Sequence, residues 1–310
     1  MFGEELISLS RNVSDMYSTQ ELEENINKLI YGLMENQDPS ILDKILGIGI
    51  SFPGSIDSTT GLIADSSLLG GNIRTDLILA VRQKFGLPVF MENNVNLCSL
   101  NESLFGKGRD KSIVLFVFAG YGIGCGLTIN GKMYLGATYS SGNVGHTVVD
   151  LNGKRCYCGS HGCLETIASY PALFKDFRQQ VKLHGYEKHY ELINGDFSCS
   201  RVNSIMQAAN EGDKIAVSII NNIGSYVGIA IANLLGVLNP DLVIFGGDYL
   251  KVKDIILNPI KHSIMSRSWG IVKDTPIVLT DFGMMAEAHG AVSLIIKKFL
   301  KYGPEYFNRK

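Results

Sequence analysis

Charge imbalance and proline are both scarce in this 310-residue sequence: 28 Lys and Arg stand against 30 Asp and Glu, for a formal net charge of −2, and only 8 residues are proline. The chain therefore has no overall basic field to draw it onto nucleic acid or an anionic membrane. A secretion signal is also lacking, because the acidic opening "MFGEELISLSRNVSDMYSTQELEE" has no basic flank leading into an apolar run. The expected compartment is the cytoplasm. Uninterrupted membrane-length apolar stretches are missing too: "VLFVFAGYGIGCGL" is short and glycine-rich, and "IINNIGSYVGIAIANLLGVL" carries three asparagines. These read as a buried strand and a buried helix, and no membrane partner is expected. Internal repeats and low-complexity tracts are absent.

What is present is glycine, at 34 residues, with 45% hydrophobic and 19% charged residues. That is the profile of a soluble α/β protein with many strand-to-turn junctions, long enough for two lobes. Residues 1–18 hold at most one short strand around "EELISLS". Ser18 and Glu21 stand in capping-box spacing before a helix over 19–36. "ILGIGISFPGSID" reads as a buried strand ended by Pro53 and Gly54, and "TDLILAVRQKFGL" as a helix closed by Gly86. "PVFMENN" is a strand that delivers Glu92, Asn93 and Asn94 to the start of the next helix, which is where open α/β sheets place ligands. The solvated charge run "GKGRDK" suggests a hinge, with lobes over 1–110 and 111–310. In the second lobe Asn130-Gly131 signals a hairpin, and helices run to about 238. "PDLVIFGG" and "TPIVLTDFGMMAEAHGAVSLIIKKFL" add a strand and a strand followed by a helix. That final helix is expected to pack back toward the first lobe.

The densest chemistry lies in "GHTVVDLNGKRCYCGSHGC". Nine residues separate His146 from Cys156, one separates Cys156 from Cys158, and four separate Cys158 from Cys163. Three thiolates and an imidazole suit tetrahedral zinc in a closed, structural site, and Gly159 and Gly162 permit the tight turns such a loop needs. A disulfide is the alternative, disfavoured in a reducing compartment. His161 reads as an exposed loop residue, Cys98 and Cys125 as core, Cys199 as a surface thiol, Trp269 as half-buried packing, and His289 as a cap or packing group.

This segment, with Glu165 two residues after Cys163, closely resembles the signature of the ROK family of bacterial repressors and sugar kinases. The resemblance extends in order through "GIGISFPGSID", "PVFMENNVN", "GYGIGCG" and "LNPDLVIFGG". It implies an α/β, two-lobed, actin-like ATPase (ribonuclease H-like) fold, with the zinc loop over 145–165 held by His146, Cys156, Cys158 and Cys163. It further implies a sugar site lined by Asn93, Asn94, Asn143, His146 and Glu165, sugar bound between the lobes, and a nucleotide cleft whose remnants are Gly120, Gly122, Gly124, Gly246 and Gly247.

Several positions depart from the kinase pattern of that family. Asn94 stands at the position of the catalytic aspartate, and an amide cannot accept the hydroxyl proton, a loss of about 10²- to 10⁴-fold. Glu92 is not expected to substitute, since successive strand residues face opposite sides. Asn143 replaces a sugar-binding glutamate while keeping hydrogen-bonding capacity. Tyr121 replaces a phosphate-loop threonine, and no first phosphate loop precedes "FGEELISLS", so the fold is expected to be N-terminally truncated and ATP and magnesium are disfavoured. No winged helix-turn-helix is read in this chain either. The resemblance thus points to the sugar-binding portion of a regulator of the xylose-repressor/NagC type: a non-catalytic, carbohydrate-responsive homo-oligomer that binds a sugar or sugar phosphate. The alternative is an ATP-dependent sugar kinase of the glucokinase type.

Overall fold

In a computed structural model of the chain, residues 7–9, 18–57, 60, 62–65, 76–185 and 189–307 are described. Most of the short strand expected over 4–10 lies outside them, and Ile7 to Leu9 carry no strand pairing.

The Ser18 hydroxyl accepts from the Glu21 backbone N–H at 3.2 Å, while Glu21 Oε2 accepts from the Ser18 N–H at 2.9 Å, so the capping box starts α1 (Thr19–Met34). The helix stops short of the expected 36 because Asn36 takes a left-handed backbone, φ 64°. A single turn, α2 (Pro39–Leu42), leads to β1 (Ile48–Phe52), the antiparallel pair β2 (Ser55–Ile56) and β3 (Ile63–Asp65), and α3 (Leu77–Phe85), closed by Gly86 at φ 65°. Then come β4 (Val89–Asn93) and α4 (Asn94–Phe105), followed by β5 (Ile113–Ala119) and β6 (Ile123–Ile129). Asn130 and Gly131, at φ 49° and 70°, form the expected tight turn into β7 (Lys132–Met133). The remainder is α5 (Glu165–Ala168), α6 (Tyr170–His184), α7 (Tyr190–Ile193), α8 (Cys199–Asn210), α9 (Lys214–Leu238), β8 (Leu242–Gly246), α10 (Lys253–Arg267), β9 (Ile277–Leu279), α11 (Ala286–Tyr302) and α12 (Pro304–Phe307).

The chain forms two compact units. One contains the residues up to Arg109, Gly131–Ser141 and those from Met285 onward; the other contains Asp110–Asn130 and Gly142–Met284. In the first, β1 and β4 are parallel and in register from Ile48 opposite Val89 to Phe52 opposite Asn93. Their carboxyl ends therefore release Pro53-Gly54 and Asn94 at the same edge. Leu22, Phe52, Leu77, Val81 and Met91 fill one core cluster, and Leu97, Leu100, Ala291 and Leu294 bring α11 onto α4.

In the second unit, β5 pairs antiparallel with β6 and parallel with β8, which pairs parallel with β9. Every residue of β8 is buried. The apolar α9 is long enough to cross a membrane by length and composition alone, yet 56% of its most apolar window is buried within the chain, as a core helix would be. Two of its glycines let α10 approach closely: a Cβ on Gly228 would lie 2.6 Å from the Ile260 carbonyl oxygen, and one on Gly224 2.8 Å from that of Ile256. Trp269 is not half-buried as expected but 91% exposed. Extended backbone at Ser268, just past the end of α10, carries it outward.

The glycine contact makes a testable statement about packing. Alanine at 228 would gain about 1 kcal/mol in helix propensity, but its methyl group would press on backbone that cannot rotate away, a strain of about 1–3 kcal/mol. Gly228→Ala is expected to lower the melting temperature, whereas Gly236→Ala, with open space at its Cβ, is expected to raise it.

Candidate functional site

The residues singled out in the sequence fall on turns that follow buried strands. Asn93 ends β4 and caps α4: its Oδ1 accepts from the N–H groups of Val95 and Asn96 at 2.9 and 3.1 Å, and its Nδ2 donates to the Gly54 carbonyl at 3.0 Å. One amide thus starts the helix and ties down the Pro53-Gly54 loop. Glu92 is buried, and its Oε1 accepts from the Asn93 N–H at 2.8 Å and from Asn96 Nδ2 at 3.3 Å. Those bonds hold the strand-to-helix junction. Asn94, the first residue of α4, donates from Nδ2 to Glu287 Oε1 at 3.0 Å.

In the second unit, Asn143 precedes a 3₁₀ turn over Val144–His146, and its carbonyl accepts from the His146 N–H at 3.0 Å. The chain then folds into a knuckle closed by bridges between Val148 and Cys163 and between Arg155 and His161. Gly159 and Gly162 have φ of 94° and 69°, and a Cβ on Gly162 would collide with the Asp150 carbonyl. The left-handed turns foreseen for this loop are therefore obligatory there.

The knuckle brings one donor atom each from His146, Cys156, Cys158 and Cys163 within 4.8 Å of one another. His161 stays exposed and outside this group. The Cys158 and Cys163 sulfurs are 3.7 Å apart, and Cys156 Sγ lies 3.6 Å from His146 Nδ1. A tetrahedral ion with bonds of about 2.3 Å to sulfur and about 2.0–2.1 Å to nitrogen requires separations of about 3.8 and 3.6 Å. The donor set fits such an ion, and the six cysteines are free thiols. Burial, then the neighbouring cysteines, pushes the Cys163 thiol up to about 12, and burial raises Cys156; a hydrogen bond from the Ser160 backbone N–H lowers Cys158. Three thiols this close cannot all ionise by themselves, and a bound cation supplies the charge that lets them.

Tyr157, inside the Cys-x-Cys step, places its hydroxyl 3.1 Å from His146 Nε2, with its ring edge-on to the imidazole at 5.2 Å. The residue as a whole is exposed, but partial desolvation of its hydroxyl, and next the Glu165 carboxylate, raises its phenol, which hydrogen-bonds that carboxylate and stays protonated. With an ion held at Nδ1, Nε2 would carry the proton and donate to the phenol oxygen, the phenol in turn donating to Glu165, which would fix the imidazole tautomer. Glu165 Oε2 also accepts from the Ile123 N–H at 3.4 Å, and a Cβ on Gly145 would sit 2.8 Å from it.

Gly120 and Gly122 form the turn between β5 and β6, Gly124 lies in β6, Gly246 ends β8 and Gly247 follows it. A Cβ on Gly246 would sit 2.5 Å from the Phe116 ring; at φ 94°, one on Gly247 would collide with the Ala119 carbonyl. The space beside Gly120 is taken by the Asp248 carboxylate, which accepts from the Tyr121 backbone N–H and lies 3.9 Å from Lys251 Nζ. Sequence reasoning did not single out Tyr157, Asp248 or Glu287. Tyr157 and Asp248 adjoin named motifs, whereas Glu287 is distant in the chain from Asn94 and carried no local signal.

Residues 3–298 match the ROK family. The chain belongs to the ROK family. This ROK chain is 32% identical over 294 residues to the xylose repressor of Caldicellulosiruptor bescii, covering 92% of the chain and 72% of the repressor. It is 30% identical to the xylose repressor of Bacillus subtilis, covering 83% of the chain but only 62% of that repressor's length. Among solved structures, the ROK family glucokinase of Streptomyces griseus in complex with glucose and AMPPNP matches with a TM-score of 0.77 at 26% identity, covering 90% of this chain and 89% of that one. The fold is thus the actin-like α/β fold of ROK sugar kinases, and regulators and glucokinases both stand among the relatives.

If the knuckle is held by an ion, Cys156→Ala removes one of four donors. The expected result is loss of the stoichiometric metal measured by mass spectrometry, together with a lower melting temperature. Cys199→Ala, an exposed thiol outside the cluster, should change neither.

Proposed function

We propose that this ROK chain is the sugar-binding part of a carbohydrate-responsive regulator of the xylose-repressor type, braced by structural zinc and without phosphoryl-transfer activity. Asn93, Asn94, Asn143, His146 and Glu165 are its sugar contacts, and its ligand is a sugar or sugar phosphate. The observation that carries this reading is Asp248. Phosphate-binding turns work by offering free backbone N–H groups to an anion, and here the Tyr121 N–H already serves an internal carboxylate packed against Gly120. A second anion in that turn would meet the first. Asn94 supports the same conclusion, since an amide cannot take a proton from a sugar hydroxyl at neutral pH.

The Cys₃His donor set favours zinc, whose binding to such sites is coupled to folding by about 10–16 kcal/mol. With four protein donors no open position is left for a substrate, so zinc would brace His146 and Glu165 and take no part in chemistry. The chain would act in the cytoplasm as a homo-oligomer.

The glucokinase-type reading keeps one observation in its favour, the likeness to the glucose- and AMPPNP-bound enzyme. A thermal-shift panel of pentoses, hexoses, N-acetylhexosamines and their 6-phosphates, with and without Mg-ATP, separates the two. A ligand at 100 times its Kd adds about 2.7 kcal/mol, so one sugar class is expected to raise the melting temperature by several degrees, indifferently to ATP. Sugar-dependent ADP formation would overturn the regulator reading.

Asp248 gives a pH prediction. Its carboxyl is raised above the ordinary aspartate range by burial, against the opposing pull of Lys251 and the Tyr121 N–H. A folded-state pKa above the unfolded value, about 3.9, means that the contribution to stability is full below that value. It is lost as pH rises through the folded pKa. Asp248→Asn keeps an acceptor for Tyr121 and removes the charge. It is expected to raise the melting temperature at pH 7 and to give no gain below about pH 3.5.

A further inference from the structure

The seam between α4 and α11 holds Glu287 in a position that the motifs of the sequence do not account for. Three contacts, spaced about a turn apart, lock the two helices together. Asn94 Nδ2 donates to Glu287 Oε1 at 3.0 Å. A Cβ on Gly290 would lie 2.6 Å from the Leu97 backbone. Ser293 Oγ donates to Asn101 Oδ1 at 2.9 Å in a buried site. Gly49 of β1 lies equally close to α11, since its Cβ would be 2.6 Å from the Ala291 carbonyl oxygen. Backbone-to-backbone packing of this kind has little freedom to slide. The Glu287 carboxylate is therefore held beside the head of α4.

We propose that Glu287 supplies a carboxylate to the sugar contacts at the head of α4, oriented by the Asn94 amide, so that the acidic hydrogen-bond acceptor there comes from α11 rather than from α4. This rests on the reading above that Asn94 is a sugar contact. The carboxylates nearer in sequence serve elsewhere. Glu92 is buried and bonded to Asn93 and Asn96, and buried Glu102 accepts from the Lys107 N–H at 2.9 Å. Glu287 is only partly buried, so its carboxylate stays within reach of solvent while it accepts from Asn94. The amide does what a second acid could not: it donates to the carboxylate and steadies its direction. An aspartate at 94 would instead set two negative groups in contact, and one would have to take up a proton or turn away. Positions 94 and 287 can therefore share one carboxylate between them, on either helix, but not carry two.

The test is a double-mutant cycle on the full chain with Asn94→Asp, Glu287→Gln and the swap carrying both, read by apo melting temperature and by affinity for whichever sugar the panel identifies. Glu287→Gln retains an oxygen to accept from Asn94. It is expected to leave the apo melting temperature nearly unchanged while weakening sugar affinity at least tenfold, because a neutral acceptor replaces a charged one. Asn94→Asp is expected to lower the apo melting temperature at pH 7, and the swap to restore both stability and binding. Glu287→Gln that binds sugar as tightly as the wild type overturns the proposal, as does additivity of the two substitutions in apo stability. A wild-type chain that binds none of the sugars overturns the functional reading instead, and the apo cycle still decides whether the two positions exclude a second charge.

Discussion

Four donor atoms within 4.8 Å of one another are the constraint on which the second unit's ligand residues depend. The knuckle between His146 and Cys163 has little apolar material of its own, and its polar backbone is tied by a handful of turn hydrogen bonds such as Cys156 N–H to the Ser160 carbonyl at 2.8 Å. Held by an ion, it becomes a rigid bracket. His146 is then fixed through Nδ1, Tyr157 is set against Nε2, and the phenol reaches Glu165 at the start of α5. Without the ion, the loop's own contacts on these groups are few: Tyr157 against His146 Nε2 at 3.1 Å and the Cys163 thiol to the His146 carbonyl at 3.5 Å.

The first unit reaches comparable rigidity by different means. Its two parallel strands end together, and a single asparagine at 93 both caps α4 and fastens the loop after β1. Glycine at 49 and 290 lets α11 lie directly on backbone. Cys98, one turn below Asn94, remains a neutral thiol because burial, and then Glu287 and Glu102, hold its proton. The polar groups at the head of α4 are thus positioned by steric closeness and hydrogen bonds rather than by a metal.

In both units the role of one polar side chain follows from its surroundings. At 94 the amide becomes a donor to a carboxylate on another helix. At 248 a partly buried carboxylate, raised by desolvation, accepts from the Tyr121 N–H of a glycine turn.

Local pattern was enough for the capping box at Ser18, the left-handed Gly86, the turn at Asn130-Gly131 and the spacing of His146, Cys156, Cys158 and Cys163, because each is decided within a few residues by backbone sterics or ligand reach. The order of the motifs carried the family and the fold. The exposure of Trp269 was not legible, since a lone aromatic does not reveal whether another segment will cover it. Nor was the donor chain from His146 through Tyr157 to Glu165, which needs the knuckle closed. Asn94 beside Glu287, and Asp248 against Gly120, were decided only by tertiary structure: residues 193 positions apart in the first pair meet because helices pack wherever glycine permits backbone contact. No short-range rule encodes that meeting.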